Sequence, residues 1–453
     1  MTSLLIISHD VVGERMAGPG IRYWEMARAL AKLSTVTLTT PGTSLSGPGF
    51  DAHAYKPGSW QTLVPAISQA DVLLFSGDML MFFPQLAECG KPLIIEATYP
   101  YTFEALQLGS SQSREQQVAG YKARLETMRR AARAGDFFFC ANERQRSYWL
   151  GVLDSLGRIN PDTYSVDNSF RRFIDIVPFA LPSRPPQRTG PAMKGVIPGI
   201  GPDDEIVLWG GGLWQWLDPL TLVRAVAQLA QRRPQVRLVF PATRHPNPTM
   251  PDMPMRQQAE ALSDQLGLTG RTVFFGDWVP YEQWSNYLLE ADVGASLHFD
   301  TLETHFAFRT RILDYIWASL PMVVTGGDST SELVKAYDLG QVVPPGDAEA
   351  VAAALHCLLN TPDLRATHLP RFEEVQPQFT WERVCEPIAR FCQNPSLAPD
   401  RAAGTIPSTV DKDALAERDA EIKRLHELVR SYEQGRFMRL MRHWHSWRRS
   451  LGV

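Results

Sequence analysis

The residues with the clearest capacity for chemistry lie together in one polar segment of the second half of the chain. Arg309, Thr310 and Arg311 stand at the start of an apolar helical pattern. Free N–H groups at a helix start and guanidinium groups together bind a diphosphate strongly. Glu303 precedes the helix and Asp314 lies within it, and an acid beside a nucleotide commonly accepts hydrogen bonds from ribose hydroxyls. We expect a nucleotide site here; the alternative is a surface salt-bridge cluster of the four charged residues.

Two glycine-rich turns are the second feature that indicates ligand binding. Gly210, Gly211 and Gly212 directly follow an apolar strand pattern, and Gly18 and Gly20 bracket a turn that leads into a helix. Glycines let the main chain approach a ligand closely, and the following helix start offers unpaired N–H groups to an anion. The alternative for residues 210–212 is a flexible bend, and the alternative for residues 18–20 is an ordinary turn without a ligand.

Four further candidates follow the ends of predicted strands. Arg244 and His245 belong to a polar loop in the region where ligands bind in doubly wound folds. Trp278 and Val279 could flank a nucleobase, with Trp278 providing an apolar face, although a place in the core is an alternative for Trp278. No Asp-x-Asp clamp stands out, so we expect neither a metal nor a cofactor.

The elements that must position these residues form two similar series. Short, continuous apolar runs alternate with helical patterns, as is typical of parallel strands covered on both faces. Near residues 176–182 an apolar run ends in a Pro-rich stretch that predicts an interdomain linker, after which the alternation restarts. We therefore predict an α/β fold with two doubly wound, Rossmann-like domains, 1–182 and 183–392, that face each other across a cleft. The predicted strands are 4–8, 36–40, 72–75, 93–96 and 137–141 in the first domain, and 206–209, 236–240, 272–275, 293–297, 322–325 and 341–343 in the second.

The last sixty residues have a different character. Residues 393–411 are rich in Pro, Ala and Ser, which predicts a flexible linker. Residues 412–453 are predicted to be a helical tail, with a short heptad pattern followed by a basic segment whose apolar and Trp side chains share one face. Contact with a membrane surface, self-association and packing back on the body remain alternatives for this tail.

Composition sets limits on function. The chain has 453 residues with a formal net charge of −4, so no overall positive field favours nucleic acid. The five cysteines are odd in number and include no C-x-x-C, which fits a reducing cytoplasm. No run of about 18 apolar residues predicts a transmembrane helix. We expect a cytoplasmic protein, with attachment to the inner face of the plasma membrane as an option.

Several segments together resemble a known family. LDYIWASLPMVVTGGDSTSELV looks like the helix–strand signature of the retaining GT-B glycosyltransferases known as glycosyl transferases group 1. GPGIRYWEMARAL, VLWGGGLWQWLDPLTLVRAV and FFGDWVPYEQWSNYLLEADVGASLH are similar to other parts of that family, and WERVCEPIARF is like its final helix, which crosses back to the first domain. The resemblance covers roughly residues 1–392. It implies transfer of a sugar from a nucleoside-diphosphate sugar to an acceptor hydroxyl with retention.

The resemblance also implies roles for individual residues. In the second domain Arg309 and Arg311 would hold the phosphates, Glu303 would touch the donor sugar and Asp314 would hold the ribose. The first domain would bind the acceptor. Its acceptor-side candidates are Gly18, Gly20, Arg22 and Glu96. The basic aromatic tail and the expected cytoplasmic location, rather than the resemblance, fit a glycan or lipid-linked acceptor in cell-surface polysaccharide or glycolipid synthesis.

The sequence departs from the family pattern in two places. The family has two acids eight positions apart; Asp314 matches the second, but Phe306 stands at the first, and Glu303 is the nearest acid. The basic pair expected after the second glycine turn is replaced by residues 214–216, WQW. We expect Arg309 and Arg311 to supply that charge from the other side. A non-catalytic GT-B scaffold at a membrane surface and a nucleotide-sugar epimerase remain alternative functions.

Overall fold

The computed structural model describes residues 1–14, 16–42, 47–98, 100–109, 112–182, 184–243, 253–406 and 424. Met1–Gly404 form one compact unit, and Thr405–Val453 form a second unit, of which only residues 405, 406 and 424 are described. The tail predicted over 412–453 therefore lies outside the described residues, apart from Arg424.

The first half of the chain folds around a parallel sheet of seven strands in the order β3-β2-β1-β4-β5-β6-β7. The strands are β1 (Ser3–Ile7), β2 (Thr35–Pro41), β3 (Phe50–Tyr55), β4 (Val72–Ser76), β5 (Leu93–Glu96), β6 (Phe137–Cys140) and β7 (Ile174–Ile176). The helices are α1 (Gly18–Leu30), α2 (Val64–Gln69), α3 (Met79–Phe82), α4 (Tyr101–Leu108), α5 (Arg114–Ala134), α6 (Glu143–Ser155) and α7 (Pro161–Val166). Apolar side chains of β1 and β4 are fully buried, because helices cover both faces of the sheet.

The second half repeats this arrangement with six parallel strands in the order β10-β9-β8-β11-β12-β13. The strands are β8 (Glu205–Trp209), β9 (Val236–Phe240), β10 (Val273–Phe275), β11 (Val293–Ser296), β12 (Met322–Thr325) and β13 (Gly340–Val343). The helices between and after them are α8 (Pro219–Ala230), α9 (Pro254–Gln265), α10 (Trp284–Glu290), α11 (Leu302–Phe306), α12 (Thr310–Trp317), α13 (Ser329–Ala336), α14 (Ala348–Leu359) and α15 (Leu364–Val375). The strand order reverses between β1 and β4 in the first sheet and between β8 and β11 in the second. In folds of this kind, ligands bind outside the carboxyl ends of the strands at such a switch point. The predicted pair of doubly wound domains is confirmed.

The chain returns to the first sheet near its end, as the resemblance implied. The returning segment contains α16 (Trp381–Val384), α17 (Glu386–Gln393) and α18 (Pro399–Ala403). Trp381 packs edge-on against Phe179, and Phe391 of α17 stacks on Phe137 at 5.5 Å. The Thr2 hydroxyl donates to the Cys392 carbonyl at 2.6 Å.

The flexible linker predicted over 393–411 is wrong for its first part. Asp400 of α18 is fully buried and paired with Arg158, and the Ala398 N–H donates to Asp136 at 2.6 Å. The Arg401 guanidinium binds the other oxygen of Asp136 at 2.5 Å. These buried charges of the first domain find their partners in a segment whose Pro, Ala and Ser content resembled a linker, so packing overrides composition here.

Candidate functional site

The glycine turn after β8 is held against α12. The Gly210 N–H donates to the Tyr315 hydroxyl at 2.7 Å, and a Cβ at Gly210 would lie 3.1 Å from the same oxygen. Gly211 has a φ of +87°, which an L side chain rarely adopts. Close packing therefore accounts for Gly210, and backbone conformation for Gly211. That the turn also approaches a ligand stays a prediction.

Arg311 lies below this turn as a buried cation. Its guanidinium stacks over the Trp209 ring at 4.6 Å and its Nη2 donates to the Gly212 carbonyl at 3.1 Å. Burial lowers the pKa of Arg311 to about 10, so the side chain is still charged at neutral pH. Its Nη1 is buried and has no hydrogen-bond partner among the described residues, and the residue is 9% exposed. A buried charged donor left unpaired is costly, so this position favours an anionic ligand.

Asp314 lies one turn further along α12 and is half-buried. One of its oxygens accepts a hydrogen bond from the Trp284 indole N–H at 3.0 Å. Burial raises the pKa of Asp314 to about 7, against the opposing effects of the Trp284 hydrogen bond and the Arg311 charge. This carboxyl group therefore changes charge near neutral pH, and its affinity for hydroxyl donors should change with it.

Four buried charged or titratable residues form a second group beside the turn after β12; we call Glu303, Arg309, Asp328 and His298 the buried charge cluster. Arg309 donates to both oxygens of Glu303, at 3.2 and 2.8 Å, and its Nε lies 3.7 Å from an Asp328 oxygen. His298 Nε2 lies 3.2 Å from that same oxygen. Burial alone would raise the pKa of Asp328, but the His298 hydrogen bond and the Arg309 charge outweigh it and hold the pKa below its usual range.

The structure therefore separates the four charged residues that the sequence grouped. Glu303 and Arg309 bind each other inside the buried charge cluster, whereas Arg311 and Asp314 face the glycine turn and α10. Thr310, the first residue of α12, is exposed. The surface salt-bridge alternative does not describe this arrangement, because Glu303, Arg309 and Arg311 are each less than 10% exposed. Sequence reasoning missed Asp328, which lies beside Arg309 only in the folded chain, and His298, which lies beside Asp328.

The predicted base-flanking residues lie at the interface of the two domains. Val279 is buried, and the half-buried Trp278 donates its indole N–H to the Met16 carbonyl of the first domain at 3.1 Å. Nearby, the Tyr281 hydroxyl donates to Glu25 of α1 at 3.1 Å. Burial raises the pKa of Glu25 in spite of the neighbouring Arg28 charge. The segment after β10 is thus in contact with α1 and the loop before it.

Two other predicted donor residues, Arg244 and His245, lie outside the described residues. Nothing in the fold therefore bears on their predicted place in the polar loop after β9, and both stay predictions.

The acceptor-side candidates Arg22 and Glu96 form a buried pair. Arg22 Nε lies 2.6 Å from Glu96, and its Nη2 donates to the Val177 carbonyl at 2.7 Å. The Tyr23 hydroxyl and the Thr98 hydroxyl also bind the Glu96 carboxylate. Glu96 is 4% exposed, so these contacts fit a structural carboxylate, and a contact of Glu96 with an acceptor stays a prediction.

The two glycines of the first turn have different surroundings. Gly20 lies within α1, where an added Cβ would stand 2.3 Å from the Val11 carbonyl oxygen. Gly18 is the first residue of α1, and an added Cβ there would have nothing within 4 Å. Close approach of two main-chain segments therefore explains Gly20, and a ligand contact at either glycine stays a prediction.

Phe306, which stands where the family pattern has its first acid, belongs to an aromatic group between the domains. Its ring stacks on Phe103 of α4 at 5.9 Å and meets Tyr148 of α6 at 5.4 Å. Its carbonyl accepts hydrogen bonds from Asn142 and Gln145 of the first domain, at 3.3 and 2.8 Å. Sequence reasoning missed these two amides, because only their place at the start of a helix was visible.

Within the described residues, no group of three or more His, Cys, Asp or Glu side chains could hold a metal ion. In the same part of the chain, no helix combines the length and the apolar character needed to cross a membrane.

Residues 204–361 match the family model described as Glycosyl transferases group 1. This stretch begins just before β8 and contains the glycine turn, the buried charge cluster, Arg311 and Asp314. The match confirms the expectation of a glycosyltransferase for the domain that carries the predicted donor site. No curated protein matches the chain in sequence.

Solved structures share the fold over most of the chain. Sucrose-phosphate synthase from Thermosynechococcus elongatus is 17% identical with a TM-score of 0.61, and the alignment covers 87% of this chain and 98% of that one. WaaG, a glycosyltransferase involved in lipopolysaccharide biosynthesis, is 14% identical with a TM-score of 0.60 over 86% and 100% of the two chains. HepE from Anabaena, solved with UDP and glucose, is 12% identical with a TM-score of 0.58 over 87% and 100%. The GT-B fold predicted from the sequence is confirmed.

Proposed function

We propose that this protein transfers a sugar from a nucleoside-diphosphate sugar to an acceptor hydroxyl with retention of configuration. The observation that carries the proposal is the buried Arg311 guanidinium, whose Nη1 has no partner among the described residues and which lies beside the glycine turn after β8. The site of a GT-B transferase must neutralise a leaving diphosphate, which a helix start and a guanidinium can do. The similar structure of HepE contains UDP and glucose, which supports a nucleotide-sugar donor.

The residues have separate roles in this proposal. Arg311 and the start of α12 bind the diphosphate, and Asp314 accepts hydrogen bonds from the ribose. Trp278 and Val279 flank the base. Glu303 meets the donor sugar only if Arg309 moves from Glu303 toward the phosphates, since the two side chains bind each other in the structure.

The acceptor side of the proposal rests on sequence context. We propose a glycan or lipid-linked acceptor bound by the first domain, at the inner face of the plasma membrane, because the tail at 412–453 combines arginines with apolar and Trp side chains. A vesicle-binding assay of the full chain and of a chain ending at residue 406 tests this. Equal binding of both to anionic vesicles would remove the tail from the account.

A nucleotide panel tests the function. The melting temperature of the protein should rise with one of UDP, GDP, ADP and dTDP, since a ligand at 100 times its Kd stabilises the folded state by about 2.7 kcal/mol. Arg311→Gln should lose the rise, and Arg224→Gln, which changes an exposed arginine of α8, should keep it. No shift with any nucleotide would favour the non-catalytic scaffold. Conversion of the donor sugar without an acceptor would favour the epimerase.

A further inference from the structure

Three side chains at the start of α6 reach from the first domain to main-chain carbonyls and two side chains of the second. We call Asn142, Arg144 and Gln145 the α6 triad. Asn142 Nδ2 donates to the Ser329 hydroxyl at 3.0 Å and lies 3.4 Å from the Ala307 carbonyl. These contacts join the segment after β6 to the connection between α11 and α12 and to the first residue of α13.

The amide oxygens of Asn142 and Gln145 accept hydrogen bonds within the first domain. Asn142 Oδ1 accepts the Gln145 N–H at 2.8 Å and caps α6, and Gln145 Oε1 accepts the Ala141 N–H at 2.7 Å. With its oxygen held in this way, each amide can direct only its N–H₂ group across the interface. Gln145 is 1% exposed and Asn142 is 8% exposed, so water does not compete freely for either group.

Arg144 adds charged contacts to the end of α11 and to the connection between β12 and α13. Its Nη1 donates to the His305 carbonyl at 3.0 Å and to the Gly327 carbonyl at 2.8 Å, and its Nη2 binds Glu332 at 2.5 Å. One planar guanidinium thereby fixes the distance between the end of α11 and the turn before α13.

The connections held by the triad are the ones that carry the buried charge cluster. Glu303 belongs to α11, Arg309 directly precedes α12, and Asp328 caps α13. In contrast, the triad has no hydrogen bond, within the described residues, to Arg311 or Asp314, the two side chains proposed to bind the nucleotide first; Arg309 is paired with Glu303 and reaches the phosphates only after that pair opens.

We propose that the α6 triad positions the α11–α12 and β12–α13 connections from the first domain, so that turnover depends on the triad while nucleotide binding does not. The expected effect on turnover rests on the proposed transferase function. The positioning of the two connections does not depend on that function. The triad acts through the main chain it holds, so its members are positioning residues.

The variants that test the proposal keep the structural half of each amide. Asn142→Asp retains the oxygen that caps α6, and Gln145→Glu retains the oxygen that accepts the Ala141 N–H, but both lose the N–H₂ group that crosses the interface. Arg144→Lys can reach one of the three acceptors. The matched control is Arg171→Ala, because the ion pairs of Arg171 within the described part of the chain are with Glu143 and Asp175 of its own domain.

The first measurement is amide hydrogen exchange of the ligand-free proteins over residues 303–309 and 326–332. Each net hydrogen bond of about 1 kcal/mol that is lost should speed exchange about 5-fold. We expect this acceleration in Asn142→Asp and Gln145→Glu and none in Arg171→Ala. Equal exchange in all four proteins would overturn the positioning, whatever the protein binds.

The second measurement is the Kd of the nucleoside diphosphate found in the panel, together with the kcat for its release from the corresponding nucleotide sugar. We expect the kcat of Asn142→Asp and Gln145→Glu to fall at least about 10-fold, with a Kd within about 2-fold of the wild-type value. Arg144→Lys should be intermediate. A parallel loss of binding and turnover, or an unchanged kcat, would overturn the inference; a wild-type protein that binds no nucleotide would instead remove the proposed function and leave the exchange result to decide the positioning.

Discussion

Arg158 and Asp400 form a fully buried ion pair in which hydrogen bonds of 2.5 and 3.1 Å join residues 242 positions apart. Arg158 also donates to the carbonyls of Ala132 and Gly135 and lies over the rings of Phe138 and Phe173. The end of the second half of the chain is thereby fixed to the first domain. A pair so deeply buried contributes chiefly by the cost of breaking it.

Removing the Asp400 charge should strongly destabilise the body. Asp400→Asn leaves the buried Arg158 without its counter-charge, which costs about 3–5 kcal/mol in comparable cases. The free energy of unfolding in urea measures this. The control is Asp338→Asn, since Asp338 forms an exposed pair with Arg371 and should change stability by no more than about 0.5 kcal/mol. Equal stability of the two variants would show that the α18 contact does not hold the domain.

The two glycines of α1 should respond differently to alanine. Gly20→Ala places a Cβ 2.3 Å from the Val11 carbonyl, which the main chain can relieve only by moving. Overpacking of this kind costs about 1–3 kcal/mol. Gly18→Ala meets nothing within 4 Å and should be tolerated. Thermal unfolding of both variants measures the difference, and a Gly20→Ala protein as stable as Gly18→Ala would contradict the close approach of the two segments.

Nucleotide binding should depend on pH through Asp314. Burial raises the pKa of this carboxyl group to about 7, and ribose hydroxyls bind its ionised form better. Affinity for the nucleoside diphosphate should therefore be highest near pH 8 and fall as pH decreases through about 7. Asp314→Asn should bind more weakly at pH 8 and lack this dependence. Calorimetric titration at pH 6, 7 and 8 checks it; the same slope in wild type and variant would assign the effect to another group.

The same carboxyl group should also affect stability, with the opposite sign. The pKa of Asp314 is about 7 in the folded state and about 3.8 in the unfolded chain. The free energy of unfolding therefore decreases as pH rises from about 4 to about 7, because the unfolded chain ionises first. Asp314→Asn removes this loss. The variant should therefore gain stability relative to wild type between pH 5 and pH 8, as urea unfolding at the two pH values will measure; a constant difference would contradict the raised pKa.

Most of the strands were visible in the sequence because buried parallel strands are continuous apolar runs. The run 206–209 predicts β8 and the run 293–297 predicts β11 to within a residue. β3 (Phe50–Tyr55) was missed because it lies at the edge of the sheet, where only one face and one neighbour demand apolar residues. Its sequence FDAHAY therefore mixes apolar with polar residues and forms no continuous apolar run.

The candidate site was predictable in its residue types but not in its pairings. Arg311 and Asp314 could be predicted because the start of a helix is visible in the local sequence pattern. The partners of Arg309 and Glu96 could not be read from spacing, since Asp328 and Arg22 come from other elements of the fold. The same holds for His298, which lies beside Asp328. Composition predicted a linker around Asp400, where the structure has a packed helix, because both kinds of segment can be rich in Pro, Ala and Ser.

The central claim is that Arg311 binds the diphosphate of a nucleotide sugar, and its most direct test compares the Kd of the nucleoside diphosphate with that of the monophosphate of the same base. A charge-assisted hydrogen bond to the terminal phosphate contributes about 1.5–3 kcal/mol, so the wild-type protein should prefer the diphosphate at least about 10-fold. Arg311→Gln should reduce this preference to near unity, while Arg224→Gln should keep it. An undiminished preference in Arg311→Gln would contradict the account.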